Sequence, residues 1–178
     1  MLARRRQSMD TRTLMLGTHR ALLNGSGKLE YFERRGISRH VIEGAYVGSR
    51  NRAFTYPCIG RNDELLAIHC KSENRDGNGK RRQWWMGYAN DLPPRGHGED
   101  PSEPAKVIPF GLEKLKNVGA GSLVVLCCGE EDALSLRQAD YTALSQPGAG
   151  LLEPAYAREM EGLEVGGLLR RRRGARGP

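Results

Sequence analysis

Two groups of residues in this sequence have the types and spacing to do chemistry. The first is Cys128-Gly129-Glu130-Glu131-Asp132, at the end of an apolar run that starts at Leu123. Carboxylates hold hard divalent cations and carry protons, and phosphoryl transfer uses both. A thiol at a helix start has a lowered pKa and can act as a nucleophile. Three acids follow Cys128, however, and no histidine is near in sequence, which disfavours that use. The acids also have a purely structural reading, because negative charge suits the positive end of a helix macrodipole. The second group is Lys71, Arg75, Lys80, Arg81 and Arg82, beside Trp84 and Trp85. Cations hold phosphates and aromatic rings stack bases. The competing reading is a solvated loop with one tryptophan in the core, since strand neighbours face opposite ways. His69, on an apolar strand, reads as structural, and His97 between two glycines is uninformative.

The elements that must position these groups follow from periodicity and punctuation. The valine- and leucine-rich run into Cys128 suits a strand buried on both faces. Gly129 breaks it, a helical pattern runs from Glu130 to Arg137, and residues 141–145 read as a second strand. A right-handed crossover makes the two strands parallel, so ligands would gather near Cys128-Gly129 and Gln146 to Gly150. Upstream, residues 27–36 read as a helix, and Ser38 caps a second helix with Val41, Ile42 and Ala45 inward. Residues 53–59 and 65–70 form a hairpin around residues 60–64, and Pro57 favours an edge position for its first strand. A third strand covers 83–88, and residues 71–82 form an exposed connection. Residues 90–109 hold five prolines and read as a loop or linker, with a short strand at Val107-Ile108. A short helix spans 110–115. A helix around Pro154 and a third parallel strand over 163–169 complete the pattern. Residues 1–25 read as a flexible basic arm, with a short amphipathic helix on Leu14, Leu16, Leu22 and Leu23 as the alternative.

The length of 178 residues fits one medium domain or two small ones. Of the net charge of +7, five positive charges come from arginines in residues 169–178, so the basicity is largely a tail property. The four cysteines include no Cys-x-x-Cys pair, which argues against a zinc ribbon. Three of the four sit in apolar, strand-like runs and read as small buried hydrophobes, and the protein reads as reduced and cytoplasmic. No apolar run reaches membrane-spanning length, so no membrane partner is expected. No G-x-x-x-x-G-K-[ST] loop is present.

The stretch Cys128-Gly129-Glu130-Glu131-Asp132-Ala133-Leu134, followed by Ala143-Leu144-Ser145-Gln146-Pro147-Gly148, resembles the first two motifs of the toprim domain of DNA primases of the phage and mitochondrial primase–helicase type. The resemblance implies an α/β fold: a partial toprim βαβ parallel sheet over 111–169, preceded by a small β-rich primase-like subdomain over 26–110. Residues 170–178 would be a disordered arginine-rich tail. In that family, a glutamate ending the first strand acts as general acid or base, and an Asp-x-Asp pair ending the third strand holds Mg2+. Here Cys128 stands at the glutamate position and arginines stand where the pair belongs. Glu130 is the candidate replacement, Asp132 matches a supporting aspartate, and Gly129, Glu131 and Gly148 complete the motifs. Tight Mg2+ binding is therefore not expected, and no metal ligand is assigned. The resemblance implies a primase-like protein of a phage or mobile element, acting on single-stranded DNA or RNA beside a replicative helicase, and catalytically impaired as it stands. The alternatives are a non-catalytic single-strand-binding remnant and a βαβ domain of unrelated function. Codons exist for residues 169–174 whose reading one base later gives Tyr-Asp-Ala-Asp-Glu, so an out-of-frame end from about residue 169 is a further expectation.

Overall fold

The computed structural model describes residues 2–25, 27–86, 108–146 and 154–168. Strands β1 (Gly48–Arg50), β2 (Ala53–Ile59), β3 (Leu65–Arg75) and β4 (Arg81–Met86) form an antiparallel sheet in that order. β2 is rich in the aromatic and β-branched residues that fit a pleated surface. Its register with β3, Tyr56 opposite His69 and Thr55 opposite Cys70, fixes two faces. Phe54, Tyr56, His69 and Lys71 share one face, and Thr55, Ile68 and Cys70 the other. β4 continues the alternation, with Trp85 opposite His69 and Trp84 opposite Cys70.

The second face is covered by α1 (Leu2–Asn24). Met15 packs with Ile68 and Cys70, and Thr55 Oγ1 donates to Thr18 Oγ1 at 3.1 Å. His19 Nδ1 lies 2.7 Å from the Val47 carbonyl. The helix comes so close to β1 that a Cβ on Gly48 would lie 2.6 Å from the Thr18 carbonyl carbon. Only glycine fits there.

The first face meets a second unit. Helices α2 (Glu30–Glu33) and α3 (Arg39–Gly44) lead into the first sheet, and Ser38 caps α3 by accepting from Val41 N at 3.5 Å. After a 3-10 helix at Leu112–Asn117 come β5 (Leu123–Cys127), α4 (Glu130–Gln138), β6 (Ala143–Ser145), α5 (Pro154–Arg158) and β7 (Glu164–Leu168). These strands form a parallel sheet in the order β6-β5-β7. Phe110 closes the outer edge of β6 through two backbone hydrogen bonds with Ser145, of 2.8 and 2.9 Å. One apolar cluster joins both sheets and the helices: Phe32, Ile42, Phe54, Tyr56, Val125 and Leu134 all belong to it. The expected architecture of a β-rich unit followed by a parallel βαβ sheet is therefore present, including the third parallel strand despite its two glycines.

Four local expectations change. Where a flexible arm was expected, residues 2–24 are helical. The buried positions with described side chains, Thr11, Met15, Thr18, His19 and Leu22, recur at helical spacing. Three of them are polar, so the stripe is faint in a search for apolar residues alone. β2 is an inner strand, not an edge strand. Pro57 lies past the last β1 partner, Thr55, so it has only β3 as a ladder neighbour and its missing N–H breaks no second ladder. The exposed connection is shorter than 71–82, because β3 runs to Arg75 and β4 begins at Arg81. Asp76 Oδ1 closes that turn by accepting from the N–H groups of Asn78 and Lys80, at 2.9 and 2.8 Å. Finally, the 110–115 helix is a 3-10 helix shifted to Leu112–Asn117. The proline-rich stretch up to residue 107, Gly148 and the arginine-rich tail lie outside the described residues.

If α1 is structural, Leu22→Ala should lower unfolding free energy by about 2–5 kcal/mol, because it empties a fully buried site. Urea denaturation measures this, and an unchanged midpoint would mean that residues 2–24 do behave as an arm.

Candidate functional site

The site is built at the first turn of α4. Gly129 is extended there, with φ −158° and ψ 147°, and contributes no side-chain cap. Glu130, Glu131 and Asp132 then fill the turn where the helix dipole favours negative charge. Their side chains do not share one fate. Glu130 is completely buried. His69 and Lys71 are two apart on β3 and so point the same way, straight at it. His69 Nδ1 hydrogen-bonds Glu130 Oε1, and Lys71 Nζ pairs with Glu130 Oε2. The Trp85 ring covers His69 at a centroid distance of 4.6 Å.

Glu131 extends the network. Its Oε1 accepts from the Tyr56 hydroxyl at 2.9 Å, from Arg81 at 3.1 Å and from the Tyr31 hydroxyl at 3.4 Å. Its Oε2 lies 3.5 Å from Lys71 Nζ. Arg81 also donates to Tyr31 Oη at 2.7 Å. Two glutamates of α4 are thus tied to β2, β3, β4 and α2. Burial pushes the Glu130 carboxyl up, but the opposing charges of His69 and Lys71 and their hydrogen bonds outweigh it and hold the group well below the usual carboxylate range. Burial works against the Lys71 ammonium, yet Glu130 and Glu131 keep its pKa raised. Burial, with Glu131 alongside, pushes the Tyr56 phenol up.

These contacts redistribute the expected site residues. Lys71 and Arg81, expected on an exposed basic connection, are largely buried and carry ion pairs with the α4 glutamates. A strand position whose side chain points into the core cannot also hold a phosphate in solvent. Trp85 turns toward the network, whereas Trp84 lies on the α1 side near Met15. Arg82 sits over the Trp84 ring at 5.8 Å. Arg75 and Lys80 are exposed at the hairpin tip, where Arg75 donates to the Gly79 carbonyl at 2.7 Å. Cys128 is exposed at the carboxyl end of β5, while Cys127 is buried with its thiol 3.1 Å from the Leu144 carbonyl and pushed up to about 11 by burial. Asp132 folds back over Gly129, where an added Cβ would lie 3.2 Å from its Oδ2. β7 ends at Leu168, level with Cys127. Tyr31, Tyr56 and the partnership of His69 were missed from sequence. The pattern His69-x-Lys71 on a strand was the available signal, because it sets two basic groups on one face.

The donor set does not fit a hard divalent cation. Both oxygens of Glu130 and both of Glu131 already face cationic or hydroxyl partners, and the Cys128 sulfur is a soft ligand. Among the described residues no three His, Cys, Asp or Glu side chains gather as a metal site. Glu130 cannot replace a ligand at position 128 without leaving His69 buried without its carboxylate and Lys71 with only Glu131, 3.5 Å away.

No protein-family model matches the sequence, and no curated protein matches it. Solved structures do share its fold. A DnaG primase catalytic domain bound to ssDNA superposes with a TM-score of 0.63 at 11% identity, covering 93% of this chain and 63% of that one. The Escherichia coli primase catalytic core gives 0.62 at 12% identity, covering 87% and 59%. The RNA polymerase domain of Mycobacterium tuberculosis primase DnaG gives 0.63 at 12% identity, covering 89% and 62%. The chain thus spans about six-tenths of the length of these structures, and the likeness is one of fold.

The network makes a pH prediction. Glu130 has a depressed folded-state pKa, so its contribution is complete above the ordinary carboxylate value of 4.5 and is lost as pH falls below it. Glu130→Gln should cost about 3–5 kcal/mol at pH 7, by stranding a buried ammonium, and should flatten the loss of stability on acidification. Denaturation curves at pH 7 and pH 4 test both. An unchanged acid limb would remove Glu130 from the account.

Proposed function

We propose that this chain is a primase-like protein of a phage or mobile element, acting on single-stranded nucleic acid in replication and catalytically impaired as it stands. The observation that carries the reading is the fold, shared over 93% of the chain with a primase catalytic domain that was solved with ssDNA bound. The impairment is read from the site. The first parallel strand ends in Cys128, the neighbouring glutamates are engaged inside the protein, and no Asp-x-Asp pair follows β7 in the sequence. Phosphoryl transfer without such a carboxylate clamp lacks the charge neutralisation that drives it.

What remains is binding. Arg75 and Lys80 project from the hairpin tip, and Arg82 with Trp84 offers a cation beside a ring face. Cations of this kind track a phosphate backbone, and a ring face stacks a base. Lys71 and Arg81 contribute instead by holding the hairpin against α4. A replicative helicase is the partner we propose for such a protein.

Fluorescence anisotropy with oligothymidylate should show weak, salt-dependent binding. Changing Arg75, Lys80 and Arg82 together to alanine should reduce affinity and flatten the salt slope by about 0.7 per lost phosphate contact. If both survive that change and vanish on deletion of residues 170–178, binding belongs to the tail and the hairpin assignment fails.

A primer-synthesis assay with Mg2+ or Mn2+ should give no template-dependent product. Product that co-purifies with the chain would overturn the impairment.

A further inference from the structure

We propose that the groove between α1 and β1 is a nucleotide site, with the base against the helix wall and the phosphates at Arg50. The groove holds about 670 Å3, within the range of small-molecule pockets, and every residue that lines it is described. None of the residues of the Glu130–Glu131 network is among them. One wall is α1, which presents Gly17, Ala21 and, just past its end, Gly25, at a four-residue spacing that keeps them on one face. The other wall is β1 and its turn, with Ser49, Arg50 and Asn51.

Two features of these walls serve nothing in the fold itself. The first is Gly17. Glycine weakens a helix interior, and it is kept where φ is positive or where a side chain would collide. Gly17 is not among the positive-φ glycines, and a Cβ there would meet nothing within 4 Å. The space left by its missing side chain belongs to the groove. The second is Ser49, which is 3% exposed although it lines the groove. Glu73 N–H donates to the Arg52 carbonyl at 2.8 Å, so the even-numbered residues of β2 bond to β3, and Ala53 and Thr55 bond to β1. Their partners are Arg50 and Gly48, so the Ser49 N–H and C=O point away from the sheet. No hydrogen bond from a described residue reaches those two groups or the Ser49 hydroxyl.

These features select the ligand. A helix wall with no side chain larger than a methyl accepts a flat ring against its backbone. A donor beside an acceptor matches the Watson–Crick edge that every nucleobase carries. Arg50 is exposed, forms no ion pair with a described residue, and offers a guanidinium fork to phosphate oxygens. Lys28 adds positive charge, although its ammonium already pairs with Glu73 at 2.7 Å and donates to the Asn51 carbonyl at 2.6 Å. No carboxylate is among the lining residues. The same chemistry takes a free nucleoside phosphate or the terminal nucleotide of a strand.

Calorimetric titration of the full chain with ATP tests the site, with adenosine and orthophosphate as partial ligands. ATP should bind, adenosine more weakly and orthophosphate more weakly still. Gly17→Leu fills the groove from the helix wall and should weaken ATP and adenosine at least tenfold. Its urea midpoint should stay at or above that of the parent chain, because a side chain at 17 meets open space and glycine leaves the helix interior. Arg50→Ala should weaken ATP at least tenfold and leave adenosine within about twofold. Oligothymidylate that displaces ATP, and itself loses affinity with Gly17→Leu, assigns the site to a strand end. ATP binding without that competition assigns it to a free nucleotide. No ATP binding at millimolar concentration, or an affinity that Gly17→Leu and Arg50→Ala both leave unchanged, overturns the proposal. A lowered urea midpoint for Gly17→Leu overturns it too, since Gly17 would then serve the fold.

Discussion

The arrangement of the two sheets depends on burying a carboxylate and an ammonium together. Glu130 is out of water entirely and Lys71 nearly so. Removing such charges from water costs several kcal/mol each, and attraction repays that only when geometry and additional hydrogen bonds are good. Here His69 supplies a further bond to Glu130 and Glu131 a further contact to Lys71, and Tyr56, Arg81 and Tyr31 hold Glu131 in turn. The consequence is specificity of position more than stability. A one-residue slip of β3 would carry His69 and Lys71 to the α1 side and leave Glu130 facing no partner. The hairpin register and the docking of α4 are therefore one constraint seen from two sides.

That constraint also sorts the basic residues. Lys71 and Arg81 balance Glu130 and Glu131 and have little charge left to offer a ligand. Arg75, Lys80 and Arg82 lie further along the same hairpin with no acid of α4 within ion-pair reach among the described contacts. The hairpin thus carries two functions along its length: its inner part locks to α4 and its tip faces solvent. Every carboxylate oxygen of the two glutamates is already directed at a partner inside the protein, so neither glutamate is free to hold a magnesium ion.

Much of the fold was legible in the sequence because short-range signals coincide with it. The apolar run into Cys128, the Gly129 break and the acidic first turn mark β5 and α4, and alternation marks β2, β3 and β4. Ser38 and Pro154 punctuate helices where expected. The failures have a common cause, which is that burial partners far apart in sequence decide the outcome. α1 was obscured because Thr11, Thr18 and His19 pack against a sheet rather than into an apolar stripe. Lys71 reads as a surface cation until its neighbour across the interface is known. Glu130 likewise reads as a helix-start acid, and nothing local shows that it is sealed from solvent. Pro57 points to an edge by rule, yet the rule acts on a single ladder position, not on a whole strand.

The separation of these partners has a consequence for how the protein is made. His69 precedes Glu130 by 61 residues, and Tyr31 precedes Glu131 by 100. As the chain leaves the ribosome, the first sheet emerges with its inner face bare and its lysine uncompensated. At synthesis rates of about 5–20 residues per second, that state lasts on the order of seconds before α4 arrives. Through that interval the nascent sheet presents an aromatic, positively charged surface of the kind that anionic chains and chaperones recognise. The ion pair that fixes the finished fold thus also sets the moment at which the growing chain can first close.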